Sequence, residues 1–237
     1  MIELRQLSKS YRTPHGRRYV FRDLNFSFPT GVSIGLIGPN GAGKSTLMRL
    51  IGKIDTPDSG QVVTDQRISW PVGLSGGLQG SLTGRDNTEF VCRLYGAHGP
   101  AMGRAVEFVR DFADIGDYFD LPVKSYSSGM RSRLAFGLSM AFDFDYYLID
   151  EVMATGDAQF RNKSQAVFRE KMDSANIILV SHSMTDIRKL CQVVVLVQNG
   201  VATLYDDVEA GIAAYQQKPA IAIAADAPGQ GAGVRAA

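Results

Sequence analysis

Apolar positions in this chain alternate between two textures, short unbroken runs and stripes at helical spacing. Ile2, Leu4 and Leu7 open the chain. A loop carrying Lys9, Tyr11, Arg12, Arg17 and Arg18 is expected next, followed by Tyr19, Val20 and Phe21. Residues 24–28 then place Leu24, Phe26 and Phe28 at every second position, the period of a half-buried strand. Residues 32–37, 146–149 and 177–180 are short apolar runs of strand length, the first interrupted by Ser33, suited to buried strands. Residues 61–64 and 68–70 read as shorter strands. Residues 193–197 and 201–204 form a strand pair joined at Asn199 and Gly200, a strong hairpin signal. Helical spacing appears at residues 47–51 and 87–95, at Met102, Val106, Val109, Phe112 and Ala113, and at Leu134, Leu138 and Ala141. It returns over residues 158–172, with Phe160, Ser164, Val167 and Phe168 on one face, and over 206–215.

The connections divide the chain. Residues 55–60, Asp-Thr-Pro-Asp-Ser-Gly, are turn formers. Residues 73–84 hold five glycines, at 73, 76, 77, 80 and 84, and read as a flexible loop or hinge containing Gln79. Residues 72–143 therefore form a mostly helical insertion into an α/β core that runs from residue 1 to 217. From 218 to 237 the chain is rich in Ala, Gly and Pro with little charge, and a flexible tail is expected.

Composition narrows the class without choosing a function. The 237 residues are 45% hydrophobic and 21% charged, enough for a sizeable core and too apolar for global disorder. A net charge of +1 gives no argument for nucleic acid. Cys92 and Cys191 lie far apart without metal spacing and read as reduced core thiols, as in a cytosolic protein. No apolar run reaches the roughly 18 residues of a membrane span, and Met1 to Arg5 do not open a secretion signal. Work at a membrane would need another chain to hold this one there.

The chemistry centres on Gly38, Pro39, Asn40, Gly41, Ala42, Gly43, Lys44, Ser45 and Thr46, a full match to G-x-x-x-x-G-K-[ST]. Its place between an apolar run and a helix is where a phosphate loop must sit. Glycines let backbone N–H groups turn inward around phosphate oxygens, and the helix start adds a positive dipole end. Lys44 supplies a charge for the β- and γ-phosphates, and Ser45 a hydroxyl oxygen for Mg²⁺.

Four further positions carry candidate chemistry. Tyr11 offers a face on which a base can stack, or it packs on the sheet. Ser127, Ser128 and Gly129, preceding a helical stripe, form either a second anion site or an ordinary N-cap. Asp150 and Glu151 end a buried strand, at the carboxyl edge where parallel sheets bind ligands. Asp150 would hold Mg²⁺, directly or through water, and Glu151 would activate the attacking water. His182 closes the 177–180 strand at the same edge and could contact the γ-phosphate through a ring nitrogen.

Taken together these marks resemble the nucleotide-binding subunit of ABC transporters, over residues 1 to about 216. The resemblance implies a P-loop NTPase (RecA-like) α/β core, an N-terminal antiparallel β subdomain and a helical signature subdomain. It makes Tyr11 the adenine-stacking aromatic, residues 38–46 the Walker A and 147–151 the Walker B with catalytic Glu151. Residues 126–130 are similar to the family signature, with Ser128 where Gly is usual and Met130 where Gln is usual; Ser127 and Gly129 are kept. Residues 154–157 are similar to the D-loop, placing Asp157 at the nucleotide, and His182 to the switch histidine. Catalysis is thereby assigned to Glu151, His182 and Lys44, with ATP and Mg²⁺. The usual Gln-loop position falls near Leu74 or Ser75, leaving Gln79 out of register. Residues 68–74 and 77–85 further resemble the ATPases that export capsular polysaccharide across the inner membrane of Gram-negative bacteria. O-antigen and teichoic-acid exporters are their relatives. That implies a homodimer on the cytoplasmic face, held there by an integral permease of the ABC-2 type. A soluble ABC ATPase acting on DNA or ribosomes usually carries two cassettes or a coiled-coil insertion. A P-loop small-molecule kinase has no need of the signature segment.

Overall fold

The computed structural model describes residues 1–14, 16–73, 75–150 and 158–217. Its strands form two sheets. The first holds β1 (Ile2–Thr13), β2 (Gly16–Phe28) and β4 (Ser59–Thr64), all antiparallel, in the order β2-β1-β4. The second has six strands in the order β5-β6-β7-β3-β8-β9, namely β5 (Ile68–Pro71), β6 (Tyr146–Asp150), β7 (Asn176–Val180), β3 (Ile34–Ile37), β8 (Val193–Gln198) and β9 (Val201–Tyr205). It is parallel except at β9, which returns antiparallel along β8. Asn199 and Gly200, with φ of 51° and 75°, make that tight turn.

Helix α1 (Lys44–Ile51) lies between the sheets and buries Leu47, Met48, Leu50 and Ile51. These join Leu4, Leu7 and Phe21 of the first sheet and Leu36, Leu148 and Ile178 of the second in one core. The opposite face of the large sheet is covered by α5 (Ala158–Met172), α6 (Met184–Leu190) and α7 (Val208–Gln216), through Phe160, Phe168, Ile187 and Ile212. Between β5 and β6, neighbours in the sheet, the chain makes α2 (Gly84–Leu94), α3 (Gly99–Ala113) and α4 (Ser128–Met140) around their own core of Val109, Phe119, Leu134 and Leu138. Trp70 and Phe142 pack against both this core and that of the sheet.

Pro71 is tolerated because β5 is an edge strand. The register slips between Ile68 and Pro71, and the Ser69 hydroxyl accepts from the Leu148 N–H at 2.9 Å, so that buried donor is satisfied.

One expectation is corrected, one is refined and one element is added. β1 continues through Thr13, so Tyr11 sits on a strand and not in a loop. The alternation in β1 breaks because Gln6 takes a positive φ of 48°, and the bulges are stitched by Asn25 Oδ1 accepting from Gln6 N and Ser8 Oγ from Asp23 N. The glycine-rich stretch includes a 3₁₀ turn at Ser75–Gly77. Its second half is clamped by buried Asn87, whose amide accepts from Gln79 N and donates to the carbonyls of Gln79 and Thr83. Helix α6 was not anticipated, its seven residues being too few for a clear stripe.

Candidate nucleotide-binding site

The loop from Gly38 to Gly43 joins β3 to α1, and two of its glycines are required by close approach. A Cβ on Gly38, at φ of 150°, would stand 2.1 Å from the Val197 carbonyl oxygen. On Gly43, at φ of 102°, it would stand 2.4 Å from Val20 Cγ1. Gly43 caps α1 with no side-chain acceptor, so the first N–H groups of the helix have no capping side chain. Lys44 is buried and curls back over the loop, its ammonium donating to Gly38 O at 2.8 Å and Pro39 O at 3.1 Å.

β3, β7 and β6 are adjacent, so their carboxyl ends face the loop together. A cleft of about 360 Å³ results, lined by Asn40, Gly41, Gly43, Lys44, Ser45 and Thr46 and by Asp150, Val180 and His182. Sequence positions more than a hundred residues apart meet in it. A buried ammonium, an uncapped helix start and a backbone cradle suit a polyphosphate. Ser45 and Asp150 are two hard oxygen donors, and no group of three His, Cys, Asp or Glu able to hold a metal occurs among the described residues. That set fits Mg²⁺, which uses one or two protein oxygens and takes the rest from phosphate and water. Glu151 and Asp157 lie outside the described residues.

Tyr11 stands beside α1, 38% exposed. Its phenol oxygen accepts from Arg49 Nη2 at 2.9 Å, donates to Asp55 Oδ2 at 3.3 Å and lies 3.5 Å from Thr46 Oγ1. Lys9 places its ammonium 5.4 Å from the ring centroid and donates to Asp55 Oδ1 at 2.7 Å and to the Thr56 carbonyl at 2.7 Å. The hydrogen bond from Lys9 holds the Asp55 carboxyl below its ordinary range, against a smaller opposing effect of burial. Arg49 and Asp55 were not singled out in the sequence. One sits on a helix and the other among turn formers, and no local pattern links them to Tyr11.

Ser127 N-caps α4, its hydroxyl accepting from Met130 N at 3.2 Å. With Gly129, Met130, Tyr118 and Arg133 it lines a separate hollow that shares no residue with the phosphate-loop cleft. Ser128, the first residue of α4, is exposed. Gln79 is exposed, is tied through its backbone to Asn87 and does not line the cleft.

The ABC transporter family model matches residues 21–154. The chain is 54% identical over 217 residues to the polysialic acid transport ATP-binding protein KpsT of Escherichia coli, covering 91% of this chain and 96% of that protein. It is 42% identical over 219 residues to the capsule polysaccharide export ATP-binding protein CtrD of Neisseria meningitidis serogroup B, covering 92% of this chain and all of that protein. Among solved structures it is similar to the ATP-binding cassette MJ0796 in a dimeric post-hydrolysis state bound to ADP and Pi. The TM-score is 0.67 at 20% identity, over 86% of this chain and 98% of that one, a likeness of fold.

Proposed function

The chain belongs to the ABC transporter family of ATP-binding proteins, and we propose that it energises export of capsular polysaccharide across the bacterial inner membrane through a separate permease. The single observation that carries the substrate class is the 54% identity, across nearly the whole of both chains, to a polysialic acid transport protein. Nothing in the described site recognises a sugar, so glycan recognition belongs to the membrane partner. No helix among the described residues is long and apolar enough to cross a membrane; in this reading the permease holds the subunit at the cytoplasmic face.

In this reading the Gly38–Gly43 backbone and Lys44 cradle the β- and γ-phosphates of ATP, and the Tyr11 ring carries the adenine. Ser45 and Asp150 hold Mg²⁺, which when bound neutralises charge on the phosphoryl oxygens. Glu151, one residue past Asp150, takes the proton from the attacking water. His182, which lines the same cleft, donates to the γ-phosphate. Ser127 and Gly129 meet the same phosphate from a second copy. The separateness of their hollow from the cleft within one chain supports a head-to-tail pair.

Reconstitution tests this. The subunit is co-purified from membranes with its permease, the partner is identified, and ATP-driven movement of lipid-linked capsular glycan into vesicles is measured. Transport that requires ATP and Asp150 is expected. A complex that moves only O-antigen or teichoic-acid chains would overturn the capsule assignment and leave the ATPase reading intact.

A further inference from the structure

The base platform is held by residues outside the phosphate loop, and they tie it to the helix that the loop begins. A tyrosine at an exposed strand position ordinarily samples several rotamers. Here the phenol oxygen is a node with three neighbours: the Arg49 guanidinium donates to it, the ionised Asp55 accepts from it, and Thr46 lies within reach. Asp55 is fixed in turn, by Lys9 on one oxygen and by Arg49 at 3.7 Å from the other. Thr46 and Arg49 are one turn apart on α1, the helix whose first two residues are Lys44 and Ser45. The ring therefore keeps register with the groups that face the phosphates. Lys9 approaches the ring as a cation does an aromatic face.

We propose that Arg49, acting with Asp55, is a positioning residue for nucleotide binding: it locks the Tyr11 ring at a set distance from the phosphate loop, so that base and phosphates are bound together. The inference rests on the ATP reading of the cleft and deepens it. A platform fixed before binding loses less side-chain freedom when a base stacks on it. Stacking on the base is the same in the ground and transition states, so its loss should weaken binding and leave turnover alone. Arg49 is exposed and reaches no residue of the catalytic edge, which makes it the safer residue to change.

The test uses the full chain and two probes, ATP and inorganic tripolyphosphate, which has the phosphates and no base. Arg49→Met keeps the apolar stem and removes the donor. It should weaken ATP binding roughly three- to tenfold, the size expected for one ordinary hydrogen bond, since the bond acts on the base only through the ring. Tripolyphosphate binding should stay within about twofold, and KM for ATP should rise with kcat unchanged. Tyr11→Phe, which keeps the ring and removes the node, should weaken ATP to the same extent, and the double variant should be no weaker than either alone. Arg49→Lys, a donor of the wrong shape and reach, should restore part of the loss. Unchanged ATP affinity in Arg49→Met would overturn the proposal. So would equal weakening of both probes, because that reports damage to α1. Wild-type protein that binds neither probe would overturn the nucleotide reading itself, and this inference with it.

Discussion

Lys44 is the residue on which hydrolysis should depend most sharply. It is the only cation inside the loop, and it ends on two carbonyl oxygens that a phosphate can replace. Lys44→Ala should keep the fold and lower ATP hydrolysis by roughly 10²–10³ in rate, the scale for losing one preorganised donor to developing charge. Far-UV circular dichroism and a phosphate-release assay check both halves, and near wild-type turnover in a folded variant would refute it. Cys191 works in the opposite sense, as a buried group held neutral. Burial pushes its thiol from an ordinary 9.0 up to about 12. The folded protein thus binds this proton more tightly than the unfolded chain. Its contribution is complete below pH 9.0 and is lost as pH rises from there toward 12. Urea midpoints should fall between pH 8.5 and about 10.5, and less steeply in Cys191→Ala, compared at matched pH. Parallel slopes in the two proteins would exclude the thiol as the cause.

At the scale of elements, the glycine-rich stretch before α2 is half turn and half clamp. Thr83 N-caps α2 in a reciprocal capping box with Asp86, and Asn87 gathers the carbonyls of the preceding turn. Residues 76 and 77 stay exposed ahead of this fixed end, as does Ser81 within it. A segment anchored at one end and glycine-rich at the other suits a hinge that meets the permease. A cysteine at Ser81 should crosslink to the permease in intact membranes, with a yield that differs between ATP and ADP. Crosslinks confined to probes placed after Lys218 would count against this surface. Helix α4 makes a related point. Its N-cap Ser127 accepts from Met130 N, which caps the helix and leaves the hydroxyl proton able to donate. The anion-binding alternative needs a ligand brought by something else.

For the whole molecule, the head-to-tail pair proposed above would make that something a second copy. Glu151→Gln preserves shape and removes the proposed base, so with ATP the protein should bind, pair and remain paired, while wild type should hydrolyse and reopen. ADP, lacking the γ-phosphate that Ser127, Gly129 and His182 would share, should leave it monomeric. Light scattering on a sizing column distinguishes these states. An ATP-bound Glu151→Gln protein that stays monomeric at high concentration, and in the reconstituted transporter, would sink the head-to-tail arrangement.

Much of this was legible along the chain because local chemistry demanded it. The phosphate loop could be read from spacing alone, since only glycine fits where a Cβ would strike Val197 or Val20. The buried strands announced themselves as short apolar runs, and Asn199-Gly200 as a turn that two left-handed residues make. Asp150 and His182 were placed at one edge by the rule that parallel strands end together. Tertiary structure decided the rest. The bulges in β1 carry Tyr11 out of simple alternation, and α6 is held by burying Ile187 more than by any pattern of its own. Above all, the partners of the Tyr11 hydroxyl come from a helix and a turn, 38 and 44 residues away along the chain. No periodicity records such a meeting, because it depends on how α1 is wedged between two sheets, and that follows from packing the whole core at once.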